Sequence, residues 1–149
     1  MVRLASLAAA ISMLLASSCT RDERPELPAG CRAGPAAVER ALAGAPAQVR
    51  LEGTWLSSCL QRRSAQADVQ QVGATFVAVA GRLAPAARAR PEGPEAVRLG
   101  YLIGAARRGS GGTQGIHLEL LRRLEQELTV VDTSSAAFRR GERAGRESG

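Results

Sequence analysis

The sequence predicts a small all-α domain, an irregular bundle of about four helices with a minor β-hairpin near residues 49–56. Three stretches carry that expectation. Val69, Val72, Phe76, Val79 and Leu83 step by three and four residues, which draws one continuous apolar stripe along a helix. Val97 to Ala106 is apolar almost all round, the pattern of a helix packed on several sides. Ile116, Leu120, Leu121, Leu124 and Leu128 give the helical spacing a third time. At 149 residues, the chain has room for one domain.

In chain order, the first helix opens at Pro35, a residue whose fixed φ suits the first helical position. Val38 and Leu42 then share one face, and Gly44 and Pro46 stop the helix. The period next changes to two. Val49 and Leu51 alternate with Arg50, Glu52-Gly53 is a two-residue turn signal, and Thr54-Trp55-Leu56 follows, which predicts the hairpin. The second helix is expected from about Ser58 to Arg88, with Pro85 kinking or ending it. Pro91, Gly93 and Pro94 break the chain. A third helix then runs from Pro94 to Arg108, and Gly100 and Gly104 at four-residue spacing cut a notch in one of its faces. Arg107 and Arg108 suit its negative end, and Gly109 suits the position just beyond. The fourth helix is expected from about Thr113 to Val130. Residues 131–149 are polar and glycine-containing and read as a disordered tail.

The N-terminal part has another composition. Met1-Val2-Arg3 is a short positive start, and the apolar run Leu4 to Ala16 is shorter than the roughly 20 residues needed to span a bilayer. Ala16-Ser17-Ser18 then lead directly into Cys19. This arrangement resembles the signal of bacterial lipoproteins, whose lipobox ends in a small residue before the cysteine that receives the lipid. Ala16 stands where Leu, Val or Ile is usual, with Leu15 one place earlier. The resemblance covers residues 1–19 alone. It implies that residues 1–18 are a removed signal peptide and that Cys19 is the lipidation site. The protein would then be anchored in the cell envelope, facing outside the cytoplasm. An ordinary cleaved secretory peptide, leaving a secreted or periplasmic protein, is the alternative. Residues 19–34, with Pro25 and Pro28 and little that is apolar, read as a flexible tether before a helical domain at 35–130.

The chain has three cysteines. With Cys19 acylated, Cys31 and Cys59 remain as a disulfide pair in an oxidising compartment. Closing that loop is worth roughly 3–4 kcal/mol on the chain-entropy model. No CxxC spacing occurs and there is one histidine, so neither a metal nor another cofactor is expected.

The formal charge is +6, carried wholly by arginine, since the sequence contains no lysine. The arginine pairs Arg62-Arg63, Arg107-Arg108, Arg122-Arg123 and Arg139-Arg140 are interleaved with acids. Without aromatic stacking platforms or a recognition motif, this pattern reads as solvated charge and predicts no nucleic-acid partner.

Chemistry has few footholds. Arg107, Arg108, Gly111 and Gly112 form a candidate anion-binding loop, because backbone N–H groups of a glycine run before a helix can hold a phosphate. The loop lacks the Gly-Lys-Ser/Thr ending and follows a helix, so an interhelical turn is the first reading. His117 has no acidic residue three or four positions away, and Glu125 and Glu127 do not share a helix face. No catalytic residue is expected. The leading functional expectation is a lipid-anchored envelope protein with a non-enzymatic interaction or structural role and an unknown envelope protein partner. The face around Gly100, Ile103 and Gly104 is its candidate docking surface, although core packing ranks above that use. The alternative is a small-molecule or anion-binding domain built on the 107–115 loop.

Overall fold

The computed structural model describes residues 26–61, 65–111 and 115–149. They form five α-helices and one two-stranded antiparallel hairpin, so the all-α expectation holds with one helix more than foreseen. The proposed signal peptide, Cys19 and Gly112 lie outside the described residues.

The first helix, α1 (Gly34–Leu42), has Pro35 in its first turn and buries Val38 and Leu42. The strands β1 (Arg50–Leu51) and β2 (Thr54–Trp55) pair Arg50 with Trp55 and Leu51 with Thr54. Between them Glu52 and Gly53 take φ values of 48° and 83°. Two consecutive left-handed residues give the turn whose twist matches that of the paired strands. The Arg50 guanidinium lies 3.6 Å from the centroid of the Trp55 ring, a cation–π contact between two paired positions of the hairpin.

Two expectations shift at this end of the molecule. The flexible tether drawn to residue 34 is too long: Leu27, Gly30 and Cys31 are buried and Ala29–Arg32 is a 3₁₀ turn. Cys31 is bonded to Cys59, and a β-carbon at Gly30 would meet the Leu51 carbonyl, so the arm is packed onto the hairpin. The second helix also starts later than Ser58. Leu56–Leu60 forms a 3₁₀ helix that buries Leu56, Cys59 and Leu60; the bridge at Cys59 and the burial of its neighbours hold this segment apart.

Helix α2 (Gln66–Ala89) buries Val69, Val72, Phe76 and Val79 of the foreseen stripe, leaves Leu83 half-buried, and passes through Pro85. A proline there forfeits one backbone hydrogen bond, but Pro85 faces solvent while Ala84 and Ala87 are buried on either side. Core contact on the opposite face keeps the helix going. Helix α3 (Pro94–Gly109) is the centre of the bundle, with every residue from Leu99 to Ala106 buried. Helix α4 (Ile116–Glu127) begins after Gly115, whose φ is 69°, and puts Leu120 and Leu124 into the core.

The disordered tail expected at 131–149 is overturned. Ala136–Ser148 is a fifth helix, α5, and it lies along α3. The contact is backbone to backbone. A β-carbon at Gly100 would collide with the Phe138 carbonyl, and one at Gly104 with the Glu142 carbonyl. From the other side, a β-carbon at Gly141 would strike the Val97 carbonyl, and one at Gly145 the Tyr101 carbonyl. The notch at Gly100 and Gly104 is thus filled by the chain's own fifth helix and is not an open docking surface. Small residues at four-residue spacing on both helices let the backbones approach until only hydrogen separates them, and many weak contacts add up over such a surface.

Gly104→Ala is expected to lower stability by about 1–3 kcal/mol, the usual cost of overpacking. Gly81→Ala is the control. There a β-carbon would meet only the tip of the Glu127 carboxylate, 3.2 Å away, and the gain in helix propensity should raise stability by about 0.5–1 kcal/mol. Chemical denaturation of the two variants reads both signs.

Candidate functional site

Both ends of α5 are closed by residues from elsewhere in the chain, and the candidate anion-binding arginines belong to that closure. At the N-terminal end Asp132 accepts hydrogen bonds from the Ser134 N–H at 2.9 Å and the Ser134 hydroxyl at 2.6 Å, a local turn that aims the chain into the helix. The side-chain bond from Ser134, aided by its N–H, holds the Asp132 carboxyl below the usual carboxylate range. Ser135 then caps the helix, its hydroxyl accepting the Phe138 N–H at 3.2 Å. Glu92, in the turn before α3, accepts the Ala136 and Ala137 N–H groups with its two carboxylate oxygens, each at 3.0 Å. A negative charge at a helix start is favoured by the dipole as well as by the bonds.

At the other end the Tyr101 hydroxyl accepts the Val49 N–H at 3.1 Å and donates to the Ser148 carbonyl at 2.9 Å. Ser57 donates to the Gly149 carbonyl. Arg108 donates to the carbonyls of Arg146, at 2.9 Å, and Glu147. These groups satisfy carbonyls that a helix end leaves without partners. Arg107, one residue earlier, donates to Glu142 of α5 and, at 3.0 Å, to Glu125 of α4. Arg146 joins the same Glu142 carboxylate at 2.8 Å. Partial burial pushes the Glu142 carboxyl up, but Arg146 and Arg107 outweigh it and hold the group below its ordinary value.

The structure therefore turns Arg107 toward α4 and α5 and Arg108 toward the end of α5. Gly111 is exposed on the far side of Ser110, and Gly112 lies outside the described residues. His117 is buried in the first turn of α4, and its Nε2 has no hydrogen-bond partner among the described residues. Among the described residues no group of three or more His, Cys, Asp or Glu side chains could hold a metal ion. No described helix is long and apolar enough to cross a membrane.

Two concavities lie among the described residues. A groove of about 550 Å³ runs between α2 and α4, floored by Val69, Gly73, Val77, Ile116 and Leu120 and rimmed by Glu119 and Arg123. Side-chain hydrogen bonds from Arg122 and Arg123 hold the exposed Glu119 carboxyl down at about 2, so this carboxylate stays ionised across the physiological range. A smaller hollow of about 350 Å³ sits where α3, α4 and α5 meet, between the Arg107–Glu142 pair and Thr129 and Thr133. Comparison with protein-family models, with curated proteins and with solved structures finds no match to this chain.

The roles of Glu92 and Tyr101 were outside the reach of the sequence, since each acts on a helix some 40 residues away that the sequence did not announce. A clue was present in the spacing Gly100, Gly104 and Gly141, Gly145, two matched series of small residues.

Because the Glu142 carboxyl is depressed in the fold, its contribution is complete above the ordinary glutamate range. It is lost as pH falls through the depressed value. Glu142→Gln should cost about 1.5–3 kcal/mol at neutral pH, the worth of a hydrogen bond to a charged group. The loss of stability on acidification below the ordinary glutamate range should be correspondingly shallower in the variant. Denaturation midpoints followed from neutral to acid pH test both expectations.

Proposed function

We propose that this chain is a small exported envelope protein, held on a membrane by a lipid on Cys19, whose helical domain has a non-enzymatic interaction or structural role. The Cys31–Cys59 bridge is the observation that carries the reading. Such bridges persist in oxidising compartments. With Cys31 and Cys59 consumed, the third cysteine of the chain is the one placed directly after Ala16-Ser17-Ser18, where the resemblance to lipoprotein signals puts the acylated residue. The packing of the arm from Leu27 to Arg32 onto the hairpin fits a domain attached through its N-terminal side.

The anion-binding alternative has less behind it. Arg107 meets two carboxylates and Arg108 two carbonyls of α5, so an anion would have to displace bonds that close the bundle.

Intact mass of the protein recovered from a bacterial membrane fraction, taken before and after reduction and alkylation, tests the proposal. The expected result is loss of residues 1–18, a diacyl or triacyl increment, and two alkylations that appear only after reduction. A full-length mass with three free thiols would remove both the compartment and the anchor.

A further inference from the structure

The outer face of α5 is the most strongly charged surface that nothing in the fold explains. The helix lays Ala137, Phe138, Gly141 and Gly145 against α3, so the residues on its opposite side are fixed toward solvent. Those residues are Arg139, Arg140, Arg143, Arg146 and Glu147, all exposed. Helical spacing gathers the four arginines on one side over a length of about 10 Å. Arg146 is tied to Glu142, but Arg139, Arg140 and Arg143 have no ion pair among the described residues. Each is a planar donor fork suited to bidentate contact with phosphate oxygens. No aromatic side chain lies on this face, so it lacks the stacking surface that single-stranded nucleic acid uses.

The place of this face in the molecule names its partner. Cys31 is bridged to Cys59, and Ser57, two residues before Cys59, donates to the Gly149 carbonyl at the end of α5. The N-terminal arm therefore joins the domain beside the end of α5 that carries Arg146. Eight peptide units separate Cys19 from the buried Leu27, a reach of at most about 28 Å. A lipid on Cys19 would hold the arginine face close to the bilayer at all times, and such confinement raises the effective concentration of headgroups near it.

We propose that the outer face of α5 is a seat for anionic lipid headgroups, so that the domain lies down on the membrane surface with Arg139, Arg140 and Arg143 against the phosphates. This rests on the anchored-envelope reading above. Each basic residue at an anionic surface is worth about fivefold in binding, and the attraction weakens as salt shortens the screening length.

The test uses the full chain recovered from bacterial membranes and reconstituted into two kinds of vesicle, phosphatidylcholine alone and phosphatidylcholine with phosphatidylglycerol. Arginines are labelled with a dicarbonyl reagent and read peptide by peptide by mass spectrometry, and the peptide containing Cys19 reports its acylation. Labelling at Arg139, Arg140 and Arg143 should slow by about fivefold or more on the anionic vesicles. Arg40 and Arg88, exposed on α1 and α2, should label equally on both, and molar salt should abolish the difference. In the triple variant R139Q/R140Q/R143Q, unlipidated protein should no longer float with anionic vesicles. Equal labelling at the three arginines on both vesicles, with Cys19 acylated, overturns this proposal and leaves the anchor standing. Protection on anionic vesicles with Cys19 unmodified supports the seat and sinks the anchor. Protection by a duplex DNA or RNA fragment but not by anionic vesicles overturns the lipid assignment in favour of nucleic acid.

Discussion

The backbone-to-backbone contact between α3 and α5 is the constraint on which the rest of the structure depends. Helix α3 is buried along its length from Leu99 to Ala106, so it needs a neighbour on each side. On one side α2 and the 3₁₀ helix at Leu56–Leu60 supply large side chains. On the other the neighbour is α5, which brings little side-chain volume beyond Phe138. A helix so poor in large apolar residues contributes little by hydrophobic area alone. It is retained because glycines on both partners remove the atoms that would hold the backbones apart, and close approach multiplies weak contacts. The same logic forbids substitution: the space a β-carbon would need is already held by carbonyl groups that cannot move without shifting a helix.

Close approach places demands on the helix ends. A glycine-rich helix loses more entropy on ordering than most, and its unpaired terminal groups would draw it back toward solvent. The fold answers at both ends with side chains, all but the N-cap Ser135 from remote parts of the chain. Glu92 and Ser135 take the first N–H groups, and Tyr101, Ser57 and Arg108 take the last carbonyls. Tyr101 also receives the Val49 N–H, which ties α5 to the residue that enters the hairpin. The hairpin, the disulfide and the end of α5 thus form one connected corner. A hairpin of two residues a strand would be marginal alone; here the bridge and the 3₁₀ helix stand behind it.

How much of this could be read in the sequence follows from which signals are local. The stripe of α2, the burial of α3 and the inner face of α4 come from large apolar residues at helical spacing, and all were legible. So was the Glu52-Gly53 turn, because its two positive φ angles have a composition. Helix α5 was not legible. Its inner face is made of Ala137, Phe138, Gly141 and Gly145, with one large apolar residue among them, and glycine within a window of arginine and serine argues for disorder when no partner is known. The partner, the Gly100–Gly104 notch, was visible by itself, but nothing local says which element fills a notch. The loop of Arg107 and Arg108 misled for the same reason. Two arginines beside glycines suggest an anion, and the carboxylates and carbonyls that occupy them come from helices 20 to 40 residues further on.

This arrangement makes α5 a helix with two faces of different purpose, one shaped only to approach α3 and the other bearing Arg139, Arg140 and Arg143, which form no ion pair among the described residues. That division holds only if α5 is an integral part of the bundle. Native-state hydrogen exchange measures this directly. Amides from Phe138 to Arg146 should be protected to the same free energy as those from Leu99 to Ala105, because neither helix can open without exposing the other's backbone. Exchange of the α5 amides at the rate of a frayed terminus, with α3 still protected, would contradict the account.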